Sequence, residues 1–153
     1  MAVQKLADMA PEGKVYGIDY SEASVLQSCR TNRDLIKSGR VDIRRGAVSS
    51  LPYPDEAFDL VTAIDSHYYW PNLESDLQEV QRVVKQGGHV AIIGEGPRGG
   101  VFGRFYRAWA QQFNVTETSA QGLAELLSIA GFSESNGFTH TKTNWVYALA
   151  RKP

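Results

Sequence analysis

The chain has 153 residues, 42% of them hydrophobic and 22% charged, which are the proportions of an ordinary globular domain and not those of a disordered chain. A formal net charge of −1 gives no long-range pull toward nucleic acid or an anionic membrane, and no apolar run approaches the ~20 residues that cross a bilayer. The single cysteine, Cys29, cannot form an internal disulfide, no Cys/His spacing suits a metal, and no basic-then-apolar leader opens the chain. The expectation is one cytoplasmic domain over residues 1–153, with no metal and neither nucleic acid nor membrane as partner.

Helical and strand periods alternate along the chain. Residues 1–9 read as the tail of a helix, and residues 14–19 as a strand. Ser21 is a plausible N-cap for a helix to about Lys37, with Val25, Leu26, Cys29 and Ile36 as its apolar stripe and Gly39 as its stop. Residues 41–45 alternate apolar and polar, and their paired arginines place the strand near a sheet edge. Residues 58–64 are almost continuously apolar, as expected of a parallel strand covered on both faces. Pro71, Glu74 and Asp76 open the next helix; Leu73, Leu77, Val80, Val83 and Val84 face its core, and Lys85 with Gly87 and Gly88 closes it. Residues 89–94 form another buried strand. Thr118 and Gln121 suggest a capping box for a helix ending at Gly131, and residues 145–149 are the closing strand. Strands alternating with helices predict an α/β protein with a doubly wound, parallel sheet.

Four stretches in order carry a resemblance. Residues 14–21 (KVYGIDYS), 46–61 (GAVSSLPYPDEAFDLV), 79–93 (EVQRVVKQGGHVAII) and 123–132 (LAELLSIAGF) resemble the second strand, the turn into the fourth strand, the helix and K-P-G-G turn before the fifth, and the late helix of class I S-adenosylmethionine-dependent methyltransferases. Gln86 stands where the family has proline. The resemblance implies a Rossmann-like, mostly parallel sheet of strand order 3-2-1-4-5-7-6 with the last strand antiparallel, and S-adenosylmethionine as cofactor. In that family a first strand and a G-x-G-x-G loop precede the helix with which this chain opens, so the resemblance implies an N-terminally truncated version. Gly94, Gly96, Gly99 and Gly100 follow the fifth strand and cannot stand in for the loop. The missing strand lies between the second and fourth, whose unpaired backbone groups would cost on the order of 1–3 kcal/mol each if buried unsatisfied. Rearrangement within the sheet or sharing of strands in a homodimer would relieve this.

The resemblance also assigns roles. Asp19, just past a strand, is placed to accept hydrogen bonds from both ribose hydroxyls, or it simply caps the helix after it; Tyr20 would pack on the adenine. Ala47 stands where the family's aspartate reaches the adenine amino group and cannot do so, whereas the N–H of Val48 can still donate to the ring. Ser49 either contributes a hydroxyl there or is a plain turn residue. At residues 65–70 (DSHYYW), Asp65 falls in the cofactor site, His67 is the candidate proton acceptor, and Tyr68, Tyr69 and Trp70 form a substrate wall; the same side chains can equally seal a strand-to-helix corner. His89 and His140 read as ordinary surface or strand residues. Residues 94–113 suggest a lid, with Phe102, Phe105, Tyr106 and Trp109 at helical spacing, or a plain core stripe; Arg104 and Arg107 either pair with an acidic substrate or form a solvated face.

Two functions stand against each other. One is methyl transfer to a small-molecule acceptor, for which the absent glycine loop removes the main backbone partners of the methionine carboxylate. The other is a noncatalytic domain that self-associates or binds a partner through exposed strand edges. A nicotinamide-dependent Rossmann enzyme also places an acid at the Asp19 position, but the LPYPDEAFD turn and the AGF helix belong to the methyltransferase pattern.

Overall fold

The structure, a computed structural model, describes residues 2–96 and 118–153. The lid segment beyond Gly96, including Phe102, Phe105, Tyr106, Trp109, Arg104 and Arg107, lies outside the described residues. The chain forms two compact units, Met1–Pro52 and Tyr53–Pro153.

The first unit contains α1 (Ala2–Met9), β1 (Val15–Asp19), α2 (Glu22–Thr31), α3 (Arg33–Lys37) and β2 (Val41–Arg45). β1 and β2 pair in parallel, from Val15 with Val41 to Asp19 with Arg45. Arg40 ties α1 to this pair: its guanidinium donates to the carbonyls of Ala7, Ala10 and Gly13 at 2.7–2.9 Å, satisfying acceptors that a helix end leaves without intrahelical partners. Ser21 caps α2 as expected, accepting from the Ser24 N–H. The expected single helix is split, however, at Asn32, which is 3% exposed and whose Nδ2 donates to the Ser28 carbonyl. A side chain that engages the preceding turn competes with helix continuation. Leu26 is also corrected: it is 51% exposed, while Val25 and Cys29 are half-buried. It stands about 100° round the helix from Val25 and so leaves the stripe.

The second unit contains β3 (Phe58–Ile64), a short 3-10 turn (His67–Tyr69), α4 (Leu73–Val83), β4 (Val84–Glu95), α5 (Ala120–Ile129), β5 (Ser133–Thr139) and β6 (Trp145–Arg151). Its sheet runs β3-β4-β6-β5; β3 is parallel to β4, and β6 is antiparallel to both neighbours. With β2-β1 in the first unit, these are the 3-2 and 4-5-7-6 portions of the expected order, including the antiparallel last strand.

Leu77 and Val80 of α4 and Leu123 and Leu127 of α5 are buried, as are Val90, Ile92, Ala148 and Ala150 of the sheet. Val90 pairs with Ala150 and Ile92 with Ala148, so these side chains share one face. The alternate positions carry Leu60, Ile64, Phe138 and Leu149, which are exposed. The continuous apolar run of β3 therefore does not mean cover on both faces: Leu60 is 50% exposed.

Both helix starts are capped by short polar side chains. Asn72 caps α4 by accepting from the Ser75 N–H, and the buried Asp76 carboxylate accepts the Asn72 N–H at 3.0 Å. At α5 the cap is Ser119, which accepts from the Gly122 N–H; the expected box of Thr118 and Gln121 is out by one residue.

The double-glycine turn also falls in a different place, inside β4 rather than before it. Phe58 pairs with Val84 but Leu60 with His89, so residues between Val84 and His89 bulge out of the ladder. Gly87 takes φ +74°, and a Cβ on Gly88 would lie 3.0 Å from the Asp59 carbonyl oxygen; both positions thus favour glycine. Beside this bulge the buried Lys152 ammonium donates to the carbonyls of Gln81 and Val84, at 3.0 and 2.9 Å. Among the described residues no helix is long and apolar enough to cross a membrane.

Replacing Lys152 by methionine keeps the apolar stem and leaves those two carbonyls without their donor. The variant should lose about 2–4 kcal/mol of stability, read as a lower urea midpoint at unchanged slope. A loss below about 0.5 kcal/mol would mean that water replaces the ammonium.

Candidate functional site

In a parallel pair both strands end at the same edge, so the segments after β1 and β2 emerge together. Asp19 ends β1, its carbonyl accepts the Gly46 N–H at 3.0 Å, and residues 46–48 leave β2 beside it. The Asp19 carboxylate is half-buried, and its Oδ1 accepts the Ser21 N–H at 2.8 Å. One oxygen thus orients the entry to α2, which is the capping alternative, while Oδ2 has no partner among the described residues. The two roles are compatible in one carboxylate. Tyr20 is 68% exposed and its carbonyl accepts from Arg45 Nε at 3.2 Å. Ala47 is exposed and accepts the Ser50 N–H at 3.2 Å, closing a tight turn through Val48 and Ser49. A Cβ at Gly46 would lie 3.0 Å from Ile18 Cγ1. This edge therefore presents a carboxylate oxygen without a partner among the described residues, an exposed ring beside it and a tight backbone turn.

In the second unit the carboxyl ends of β3 and β4 bring Asp65, His67 and Tyr68 together with Gly94 and Glu95. The Asp65 N–H donates to the Ile93 carbonyl at 2.9 Å, carrying the ladder one residue past β3. Asp65 then takes φ +49°, in the left-handed region that aspartate enters more readily than most residues. This turns the chain into the 3-10 turn, where the N–H groups of Tyr69 and Trp70 donate to the carbonyls of Ser66 and His67.

His67 is fully buried, and neither ring nitrogen has a hydrogen-bond partner among the described residues. Burial moves its pKa from 6.5 to about 4, so the ring is neutral at physiological pH. It packs on Tyr68 with ring centroids 4.0 Å apart. The Tyr68 hydroxyl lies 3.1 Å from the Glu95 carbonyl oxygen and 3.4 Å from Asp65 Oδ1. Burial and then the Asp65 charge raise the phenol pKa well above its ordinary value. Tyr69 is 56% exposed and meets Tyr68 edge to face, and Trp70 is half-buried.

Sequence reasoning missed Gly94 and Asn144. A Cβ at Gly94 would lie 2.8 Å from both His67 Cε1 and Tyr68 Cζ, so this glycine gives the two rings their place. Asn144, at φ +57°, donates from Nδ2 to the Gly96 carbonyl at 2.9 Å, and its own carbonyl accepts the Gly96 N–H at 2.7 Å. The available signal was a glycine closing an otherwise apolar strand. His140 lies in the β5–β6 turn, its Nδ1 2.9 Å from Thr143 Oγ1, and His89 is exposed on β4.

Residues 1–92 match a family described as "Methyltransferase domain". The demethylmenaquinone methyltransferase of Listeria welshimeri is 27% identical over 165 aligned positions, covering 92% of this chain and 68% of the relative. That of Alkalihalophilus pseudofirmus is 30% identical, covering 78% and 60%. The 2-phytyl-1,4-naphtoquinone methyltransferase of Synechococcus elongatus is 29% identical over 74% of this chain and 49% of its own. Among solved structures, an S-adenosylmethionine-dependent methyltransferase from Aquifex aeolicus superposes with a TM-score of 0.77 at 19% identity, covering 98% of this chain and 75% of that one. A methyltransferase-activator complex from Haloferax volcanii gives 0.81 at 18%, covering 99% and 77%.

The state of His67 sets a pH dependence. The unfolded ring binds a proton below about pH 6.5 and the folded ring only near pH 4, so stability is fully present above pH 6.5 and falls as pH drops toward 4, by on the order of 3 kcal/mol. His67→Phe should flatten that part of a urea-midpoint profile; an unchanged slope would assign the acid sensitivity to other groups.

Proposed function

The chain belongs to the class I S-adenosylmethionine-dependent methyltransferases, and we propose that it binds this cofactor at the carboxyl ends of its parallel strands and serves methyl transfer to a small-molecule acceptor. The observation that carries the reading is the Asp19 carboxylate, one oxygen fixed by the Ser21 N–H and the other open, at the end of a strand inside the family match. In this reading Asp19 holds the ribose hydroxyls, Tyr20 covers the adenine face, and the turn at Ala47 and Val48 borders the ring. In the second unit Asp65 is a further cofactor-binding carboxylate, and Tyr68, Tyr69 and Trp70 shape the acceptor's surroundings. The cofactor supplies a methyl group on a sulfonium sulfur, which is already activated; the side chains have to orient partners and exclude water. His67 is neutral, and neither ring nitrogen has a partner among the described residues, but its burial restricts proton acceptance to a donor that enters the corner itself. The names of the relatives support a small, flat acceptor of quinone type.

A second reading is favoured by the end of the four-stranded sheet. β3 is its terminal strand, carries neither proline nor lysine, and shows exposed Leu60 and Ile64, features that invite pairing with another chain. A dimer through β3 would give twice the chain mass in light scattering, and Leu60→Lys should return the monomer; a monomer at every concentration argues against it.

Calorimetric titration with S-adenosylhomocysteine tests the first reading. We expect micromolar binding, weakened at least about tenfold in Asp19→Ala through loss of charge-assisted hydrogen bonds. No binding at millimolar ligand would overturn the cofactor reading.

A further inference from the structure

We infer that Tyr68 is a positioning residue, whose phenol fixes the direction of the Asp65 carboxylate for ligand binding, and that Gly94 is the residue that lets the phenol reach it. The inference rests on the cofactor reading above and adds to it a residue that acts through another.

Asp65 sits at a point where the backbone is committed but the side chain is exposed. Its N–H is held by the Ile93 carbonyl and its φ of +49° ends the strand, yet the carboxylate faces solvent. An exposed carboxylate samples several rotamers, and ordering it on binding costs conformational entropy. The Tyr68 hydroxyl, 3.4 Å from Oδ1, reduces that cost by holding it beforehand.

The phenol is itself held from three sides. Its oxygen is 3.1 Å from the Glu95 carbonyl, so its single proton is shared between that carbonyl and the Asp65 carboxylate, the charged and stronger acceptor. Below it lies His67, fully buried and without a polar partner among the described residues, 4.0 Å away between ring centroids. This ring acts as a floor. At its flank is Gly94, where any Cβ would fall on the phenol. The raised pKa keeps the hydroxyl protonated, and therefore a donor, throughout the neutral range.

A wall residue and a positioning residue differ in how their loss depends on Asp65. S-adenosylhomocysteine is titrated calorimetrically into the wild type, Tyr68→Phe, Asp65→Gly, the double variant and Gly94→Ala, at a temperature where urea curves show each to be folded. Tyr68→Phe keeps the ring and should weaken binding about fivefold, the equivalent of one hydrogen bond. It should weaken binding no further in the Asp65→Gly background, where glycine suits the left-handed backbone and the phenol has no side-chain acceptor left to hold. Gly94→Ala, which displaces the phenol while leaving the Tyr68 and Asp65 side chains chemically unchanged, should reproduce the Tyr68→Phe value. Wild-type affinity in Tyr68→Phe, or losses that add in the double variant, overturns the inference while leaving the cofactor reading intact. Absence of binding in the wild type overturns the cofactor reading and the inference with it.

Discussion

Two parallel strands run out at the same edge of their ladder, and that constraint decides where chemistry can appear in each unit. β1 ends at Asp19 and β2 at Arg45, its register partner; β3 and β4 end within the reach of one tyrosine hydroxyl from Asp65 to Glu95. Hydrogen bonding keeps the strands extended up to these points, and the chain beyond them is free to turn. The residues that turn are those suited to it: aspartate, glycine and asparagine in left-handed or tightly packed positions.

The second unit rests on an asymmetry between the two faces of its sheet. One face is sealed by α4 and α5, with Leu77, Ile92, Leu123 and Leu127 fully buried. At ~25 cal/mol per Å² of apolar surface, such side chains contribute most of what holds a small unit together. The other face keeps Leu60, Ile64, Phe138 and Leu149 exposed, and that is where β3 departs from the two-sided burial its composition suggested.

Periodic features were legible in the sequence. The apolar positions of α4 and β4, the glycines at the ends of α3 and α5, and the carboxylate ending β1 all reflect local chemistry that tertiary structure did not override. Asn32 was not legible because a helix-compatible residue splits a helix only when its side chain finds a carbonyl to engage. The Gly87–Gly88 bulge was not legible because a turn before a strand and a bulge within it use the same glycines. The role of Gly94 depends on a tyrosine 26 positions away in the chain, and contacts across strands leave no periodic trace. At the candidate site the residue types were readable, whereas the burial of His67 and the pairing of Tyr68 with Asp65 were not.

The Lys152 ammonium reaches back to carbonyls 68 and 71 positions earlier, and this gives the unit a particular order of assembly. A helix end whose acceptors are satisfied by a distant residue stays frayed until that residue arrives, so the last turn of α4 is completed only when β6 has docked on β4. Because closing so long a loop is entropically slow, such contacts belong to the late part of folding. The final turn of α4, the start of β4 and the residue that follows β6 are thus joined through one ammonium group.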